Sequence, residues 1–136
     1  MSGVLREFEV RTERRTQVVD VTSEVRAAAD DAARACAALV YVPHTTAGVV
    51  IQENADPAVG RDLERALERV VEDSWGWEHV EAGEENAPSH VRAALTASSV
   101  VVPLRDGDLA LGTWQAIFFC EFDGPRRRKE YVTTLS

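Results

Sequence analysis

A chain of 136 residues has the size of one ordinary domain, here taken to span residues 1–136, with a single core. Hydrophobic residues make up 45% of it, yet no run approaches the ~20 apolar residues of a membrane-crossing helix, and the N-terminus lacks the basic-then-apolar order of a signal peptide. The net charge of −8 argues against a broad nucleic-acid-binding face, and two cysteines outside any Cys-x-x-Cys pattern signal neither a disulfide framework nor a thiolate zinc site, so a cytoplasmic protein with Cys36 and Cys120 reduced and buried is expected.

Leu5 to Thr12 alternates as a strand does, and Thr16 to Val21 reads as a second strand paired with it across a short turn. Thr22 or Ser23 is suited to cap a helix over the alanine-rich stretch from Glu24 to Ala35. Cys36 to Val42 and Ala47 to Gln52 are short apolar runs suited to buried strands, which puts His44 at a strand-to-strand junction. Asp56-Pro57 starts a helix, with Asp as cap and Pro in the first turn, and Val59, Leu63, Leu67, Val70 and Val71 recur at helical spacing through about Asp73. Ser74 to Glu85 reads as a loop holding two tryptophans. Pro88 then opens a helix from Ser89 to about Ala97, with His90 in its first turn.

Ser99 to Leu104 is a strand, Asp106-Gly107 a hairpin turn, and Leu109 to Phe122 a long, mostly apolar strand. After the turn at Asp123-Gly124-Pro125, a last strand from Arg127 to Leu135 should pair back on it. The sum is an α+β domain whose mixed, largely antiparallel sheet carries helices packed on one face. Because Ala116 to Cys120 is apolar at every position, the other face of that sheet needs to be short, polar or covered by a second subunit.

All three histidines, His44, His79 and His90, fall in the middle third of the chain. If they met, they would make a divalent-metal site with an open position, or a metal-free acid–base site; three neutral imidazole nitrogens suit Zn²⁺. Glu53 and Glu121 abut apolar strands and are the preferred catalytic carboxylates, ahead of Glu78 and Glu85. Thr45 and Thr46 place hydroxyls beside His44, where they could bond a phosphate or a metal-bound water. Trp114 offers a stacking face and Gln115 a bifunctional amide, a combination suited to a flat heteroaromatic ring, although a tryptophan there is equally a core residue. Asn54 is a further substrate-binding candidate, whereas Asp56 is explained by capping. The basic run Arg126-Arg127-Arg128-Lys129 could hold a phosphate through Arg127 or Arg128, with Arg127 the substrate-binding candidate, or serve as a charged strand edge.

Five motifs occur in a telling order: His44-Thr45-Thr46-Ala47, Glu53-Asn54-Ala55-Asp56-Pro57, Pro88-Ser89-His90-Val91, Leu109-Ala110-Leu111-Gly112-Thr113-Trp114-Gln115 and Cys120-Glu121. In these the chain resembles the YjbQ-like family, also called UPF0047, from about Leu39 to the C-terminus. The resemblance implies a small α+β protein that assembles as a homotrimer. It also implies a secondary thiamine-phosphate synthase activity, joining a pyrimidine diphosphate to a thiazole phosphate with release of diphosphate. His44, His79 and His90 would then form the metal or ligand site, with the Glu-Asn and Trp-Gln motifs nearby. Departure of diphosphate calls for electrostatic stabilisation, for which Mg²⁺ held by carboxylates is the commoner device and the alternative metal here. A metal-dependent hydrolase of a phosphate or other ester and a non-catalytic binder of an anionic metabolite therefore stand as alternatives. In every case the expected partner is a small anionic or phosphorylated molecule, not a nucleic acid or a membrane.

Overall fold

Residues 4–30, 34–80 and 85–136 are described by a computed structural model, and among them lie eight strands and three helices. Strand β1 (Arg6–Arg11) alternates as its sequence demands, with Phe8 and Val10 turned inward and Glu7, Glu9 and Arg11 outward. Its partner is β8 (Arg127–Leu135), which sets Glu130 opposite Phe8 and Arg128 opposite Val10. The other edge of β8 pairs with β3 (Ala37–Tyr41), and β3 pairs in turn with β5 (Ser99–Arg105). Asp106 and Gly107, at φ 53° and 78°, supply the two positive-φ positions of a tight hairpin into the short β6 (Asp108–Leu109). A five-stranded sheet of order β1-β8-β3-β5-β6 results.

A second sheet of three strands has β7 (Gln115–Glu121) in the middle, between β2 (Gln17–Asp20) and β4 (Ala47–Glu53). All the strand pairings within both sheets are antiparallel. The core fills the space between the sheets: Val10, Val40, Val102 and Val132 meet Val49, Ile117 and Phe119, with Val25 of α1 (Thr22–Ala28) at one side. Helix α2 (Pro57–Val70) packs against β2 and helix α3 (Ala87–Leu95) against β4. The α+β class and the antiparallel pairing follow the sequence reading, while the single expected sheet is two.

That division corrects several local expectations. The strands β1 and β2 do not form a hairpin with each other; they belong to different sheets. The expected long strand from Leu109 to Phe122 is broken by the turn at Gly112, whose carbonyl accepts from the Gln115 N–H at 3.0 Å, so β6 and β7 also lie in different sheets. Strand β8 does not pair back on β7, because both edges of β7 are already occupied by β2 and β4. Helix α1 ends at Ala28, not Ala35, and residues 31–33 of the expected helix lie outside the described ones. Its expected cap is also absent, since the Thr22 hydroxyl donates to Asp20 at 2.6 Å and accepts from the Ile117 N–H at 2.9 Å. Cys36 is exposed, whereas Cys120 is buried, with its thiol pushed up to about 12 by burial and by the charge of Glu130.

Two buried charges fix the helices. Glu64 of α2 accepts both fork nitrogens of Arg14, at 3.1 and 3.0 Å, and the Val18 N–H at 2.8 Å, which ties the helix to the β1–β2 connection. Arg92 of α3 donates to the carbonyls of Leu67, Glu68 and Val71 at 3.1, 3.2 and 2.6 Å, satisfying the C-terminal end of α2 where the helix ladder leaves acceptors orphaned. Arg92→Ala should lower the unfolding free energy by about 2–3 kcal/mol in denaturant titration, since three carbonyls at the end of α2, one buried and two part-buried, lose a charged donor. A loss under about 0.5 kcal/mol, the range of ordinary surface substitutions, would mean that α2 finds its C-cap elsewhere. Gly48 serves the same region: a Cβ there would collide with Thr96 Oγ1, so only glycine lets the end of α3 lie across β4.

Burial on both faces also explains the apolar sequence of β7. Ile117 and Phe119 face the inter-sheet core, while Phe118 lies beside Gly60 and Glu64 of α2. No second subunit is needed to cover that strand. The uncovered surface is instead the outer side of the five-stranded sheet, where Tyr41 stacks on Tyr131 at 6.4 Å and Val101 is 55% exposed.

Candidate functional site

The expected site residues fall into three separate places. The first is the connection between β3 and β4. His44 follows Pro43 out of β3, and its Nε2 lies 2.9 Å from the Lys129 N–H and 3.1 Å from the Lys129 carbonyl, accepting from the first or donating to the second according to its tautomer. Partial burial and then the charge of Arg128 hold its pKa below the usual range, against the opposing backbone hydrogen bond, so the ring is neutral near pH 7. Thr45 is exposed beside it, while the Thr46 hydroxyl accepts from Arg128 Nη2 at 2.8 Å. The cavity here, about 600 Å³, is lined by Tyr41, Val42, Pro43, His44, Thr45, Ser98 and Arg128.

Behind this cavity, Glu121 and Arg128 form an ion pair that crosses from one sheet to the other, through Nε–Oε1 at 2.9 Å and Nη2–Oε2 at 2.5 Å. The Thr12 hydroxyl and the Asp123 N–H complete the carboxylate's shell at 2.8 and 2.9 Å. Glu121 is fully buried with both oxygens saturated, an arrangement that positions Arg128. Arg127 points the other way: its side chain is 72% exposed on the outer face, 4.0 Å from Glu9. Of the two arginines named from the sequence, Arg128 lines the cavity and Arg127 lies on the outer surface. Val132, an obvious core residue, has the same parity on β8 as Arg128, and that alternation was the available signal.

The second place is the groove between the loop 74–80 and α3. His79 and His90 meet here edge to face, with ring centroids 5.3 Å apart. His90 is placed by the first turn of α3, which Pro88 opens, and the loop is held by the Trp77 indole N–H donating to the Glu72 carbonyl at 3.0 Å. Trp75 leans on Trp77 at 5.9 Å. Two adjoining cavities of about 420 and 560 Å³ share Gly76, Trp77, His79 and Ala87, with Glu85 on the rim of the first and Glu78 on that of the second. Arg15 forks onto Asp73 at the edge, at 3.0 and 3.1 Å, and this hydrogen bonding keeps the Asp73 carboxyl below its ordinary range. Trp77 is the aromatic wall that sequence reasoning did not single out.

The third place is the end of the β4–β7 ladder. Glu53 lies opposite Gln115, and the Asn54 N–H donates to the Trp114 carbonyl at 3.1 Å. The Asn54 amide also donates to the Asp20 carboxylate. The Gln115 side-chain oxygen accepts from the Gly112 N–H at 2.8 Å, and Trp114 is 64% exposed on the turn instead of buried.

The three histidines thus do not converge within one chain. His79 and His90 share a groove, whereas His44 lines a different cavity and turns its Nε2 to the Lys129 backbone. Among the described residues no three His, Cys, Asp or Glu side chains are placed to hold a metal ion, so the three-histidine centre is not formed by them. Nearness in the sequence was misleading because the β3–β4 connection and the start of α3 are set by different packing partners.

Comparison with known proteins assigns the chain. Residues 6–136 match the family model described as UPF0047 protein YjbQ-like. The chain is 40% identical over 133 residues to a UPF0047 protein of Methanocaldococcus jannaschii, covering 97% of this chain and 94% of that one. It is 41% identical over 135 residues to the UPF0047 protein YugU of Bacillus subtilis, covering 97% and 99%. A crystal structure of a YjbQ/UPF0047 family protein from Clostridium acetobutylicum superposes with a TM-score of 0.89 at 41% identity over 96% of this chain and 99% of that one. A YbjQ-like protein of unknown function from Sulfolobus solfataricus superposes with a TM-score of 0.88 at 30% identity, covering 96% and 95%. The chain belongs to the YjbQ-like UPF0047 family.

Proposed function

We propose that the protein is a small enzyme acting on phosphorylated molecules, with a thiamine-phosphate-synthase-like transfer as its reaction and the His79–His90 groove as its centre. The observation that carries this reading is the contact of two imidazoles in a groove walled by an oriented indole. Trp77 gives a face for a flat heteroaromatic ring. The imidazoles supply N–H groups and proton-transfer capacity at the bond that breaks. In the transfer, one bond forms between the two ring systems, and diphosphate leaves with the electron pair of the bond it vacates. Hydrogen bonds from the histidines would stabilise the charge that develops on it. The purified protein, given the two phosphorylated precursors, should release the joined product, and His90→Ala should lower kcat/KM by at least ~10²-fold. A wild-type protein without turnover, or His90→Ala at the wild-type rate, would remove the reading. Binding without turnover would identify a non-catalytic binder of an anionic metabolite.

A metal-dependent hydrolase of a phosphate or other ester is the second reading, favoured by the same pair of adjacent imidazoles. Two nitrogen donors side by side suit Zn²⁺ better than Mg²⁺, which prefers oxygen. A third ligand would have to come from outside the described residues of this chain. Elemental analysis of untagged protein, then ester hydrolysis before and after chelation, separates this reading from metal-free chemistry. Full activity in chelated, zinc-free protein would exclude it.

The assembly we propose is a homotrimer in the cytoplasm. Among the described residues no helix is long and apolar enough to cross a membrane. The outer face of the five-stranded sheet, with Tyr41, Val101, Pro103, Tyr131 and Leu135, is the apolar surface available to a neighbouring copy. Light scattering should give three chains per particle, and Val101→Glu should shift the mass towards one.

A further inference from the structure

The cavity at the end of β3 shares no lining residue with the His79–His90 groove, and its chemistry differs. We propose that it is an oxyanion subsite in which Arg128, His44, Thr45 and Ser98 bind the phosphate group of a small metabolite.

The argument starts from Arg128. Its side chain is only 7% exposed, and its orientation is locked by Glu121 and Thr46 through Nε and Nη2. The remaining amino group, Nη1, has no acceptor among the described residues, and Arg128 forms part of the cavity wall. A buried guanidinium whose direction is already fixed loses little freedom when it donates to a ligand.

His44 adds a ring nitrogen that can donate. Its Nε2 is taken up by the Lys129 backbone, 2.9 Å from the N–H and 3.1 Å from the carbonyl, which leaves Nδ1 as the ring nitrogen for a ligand, a donor whenever the ring carries its proton there. The hydroxyls of Thr45 and Ser98 are exposed at the mouth.

Charge selection completes the case. In a chain of net charge −8, no Asp or Glu is among the residues lining this cavity. Its lining carries donors and no carboxylate, which is the pattern an anion selects. A guanidinium with a ring and two hydroxyls around the same cavity offers more donors than the two oxygens of a carboxylate can use, a number that suits the several oxygens of a phosphate better. At about 600 Å³ the cavity also has room for the body of a metabolite, with Tyr41 and Pro43 as apolar wall.

The test is a calorimetric titration of the full chain with inorganic phosphate in chloride buffer, alongside acetate at equal ionic strength. Saturable binding of one phosphate per chain is expected, with acetate at least ~10-fold weaker. Thr45→Asp, at an exposed position that leaves the fold alone, should weaken phosphate at least ~10-fold by like-charge repulsion. Arg128→Lys should do the same, because lysine can pair with Glu121 but has no second amino group to offer. His90→Ala should bind phosphate as the wild type does, so failure of the catalytic reading and failure of this one are distinguishable. No saturable binding, equal binding of acetate, wild-type affinity in Thr45→Asp, or loss of binding in His90→Ala would each overturn the assignment.

Discussion

Glu121→Leu is expected to lower the unfolding free energy by about 3–5 kcal/mol, among the largest losses any single substitution in this chain should cause. The substitution leaves the Arg128 guanidinium, 7% exposed, with an uncompensated charge between the two sheets. Arg128→Met should cost a similar amount, since it strands a carboxylate that is fully buried and keeps only the Thr12 hydroxyl and the Asp123 N–H. The double variant Glu121→Leu with Arg128→Met should recover most of the loss and fall within about 1 kcal/mol of the wild type, because both desolvation costs vanish together. Denaturant titrations of the four proteins form the cycle. Two mild single losses that simply add would show that the pair is solvated and does not hold the sheets. The double variant should also lose phosphate binding at the His44 cavity. Stability and ligand binding would then separate, since that protein is folded but lacks the oriented donor.

The elements themselves were largely legible, and their partners were not. The alternation of Arg6–Arg11, the Asp56-Pro57 helix start and the Asp106-Gly107 turn are written in a few adjacent residues, and each appears where the local pattern put it. Which strand lies beside which is set by contacts across the chain, so β1 and β2, neighbours in sequence, end in different sheets. Charged residues that the fold buries were hidden for the same reason. Glu64 reads as part of the polar face of α2 and becomes buried only because Arg14 and the Val18 N–H arrive from the β1–β2 connection. The histidines followed suit: the motifs marked His44 and His90 as notable, but only tertiary packing decides that His90 meets His79 and that His44 meets Lys129 and lies near Arg128.

Glu130 should make the fold lose stability as pH rises. It lies opposite Phe8 in the inter-sheet core, fully buried, and neither carboxylate oxygen has a hydrogen-bond partner among the described residues. Burial first, and the charge of Glu24 on α1 second, push its pKa from an ordinary 4.5 up to about 8. Arg128, two residues away on the same strand, offers no relief because it is committed to Glu121. The folded state therefore keeps a proton that the unfolded chain releases above pH 4.5. Stability falls by about 1.4 kcal/mol per unit from there to about pH 8 and then levels, a total of about 5 kcal/mol. Below pH 4.5 this group contributes no further change. Glu130→Gln keeps the shape without the ionisation, so it should remove that slope and be about 3 kcal/mol more stable than the wild type at pH 7. Denaturant unfolding of both proteins at pH 5, 7 and 9 reads the difference. Parallel pH profiles would mean that Glu130 ionises in the folded state as freely as it does in water, which a carboxylate without a partner in an apolar core cannot do.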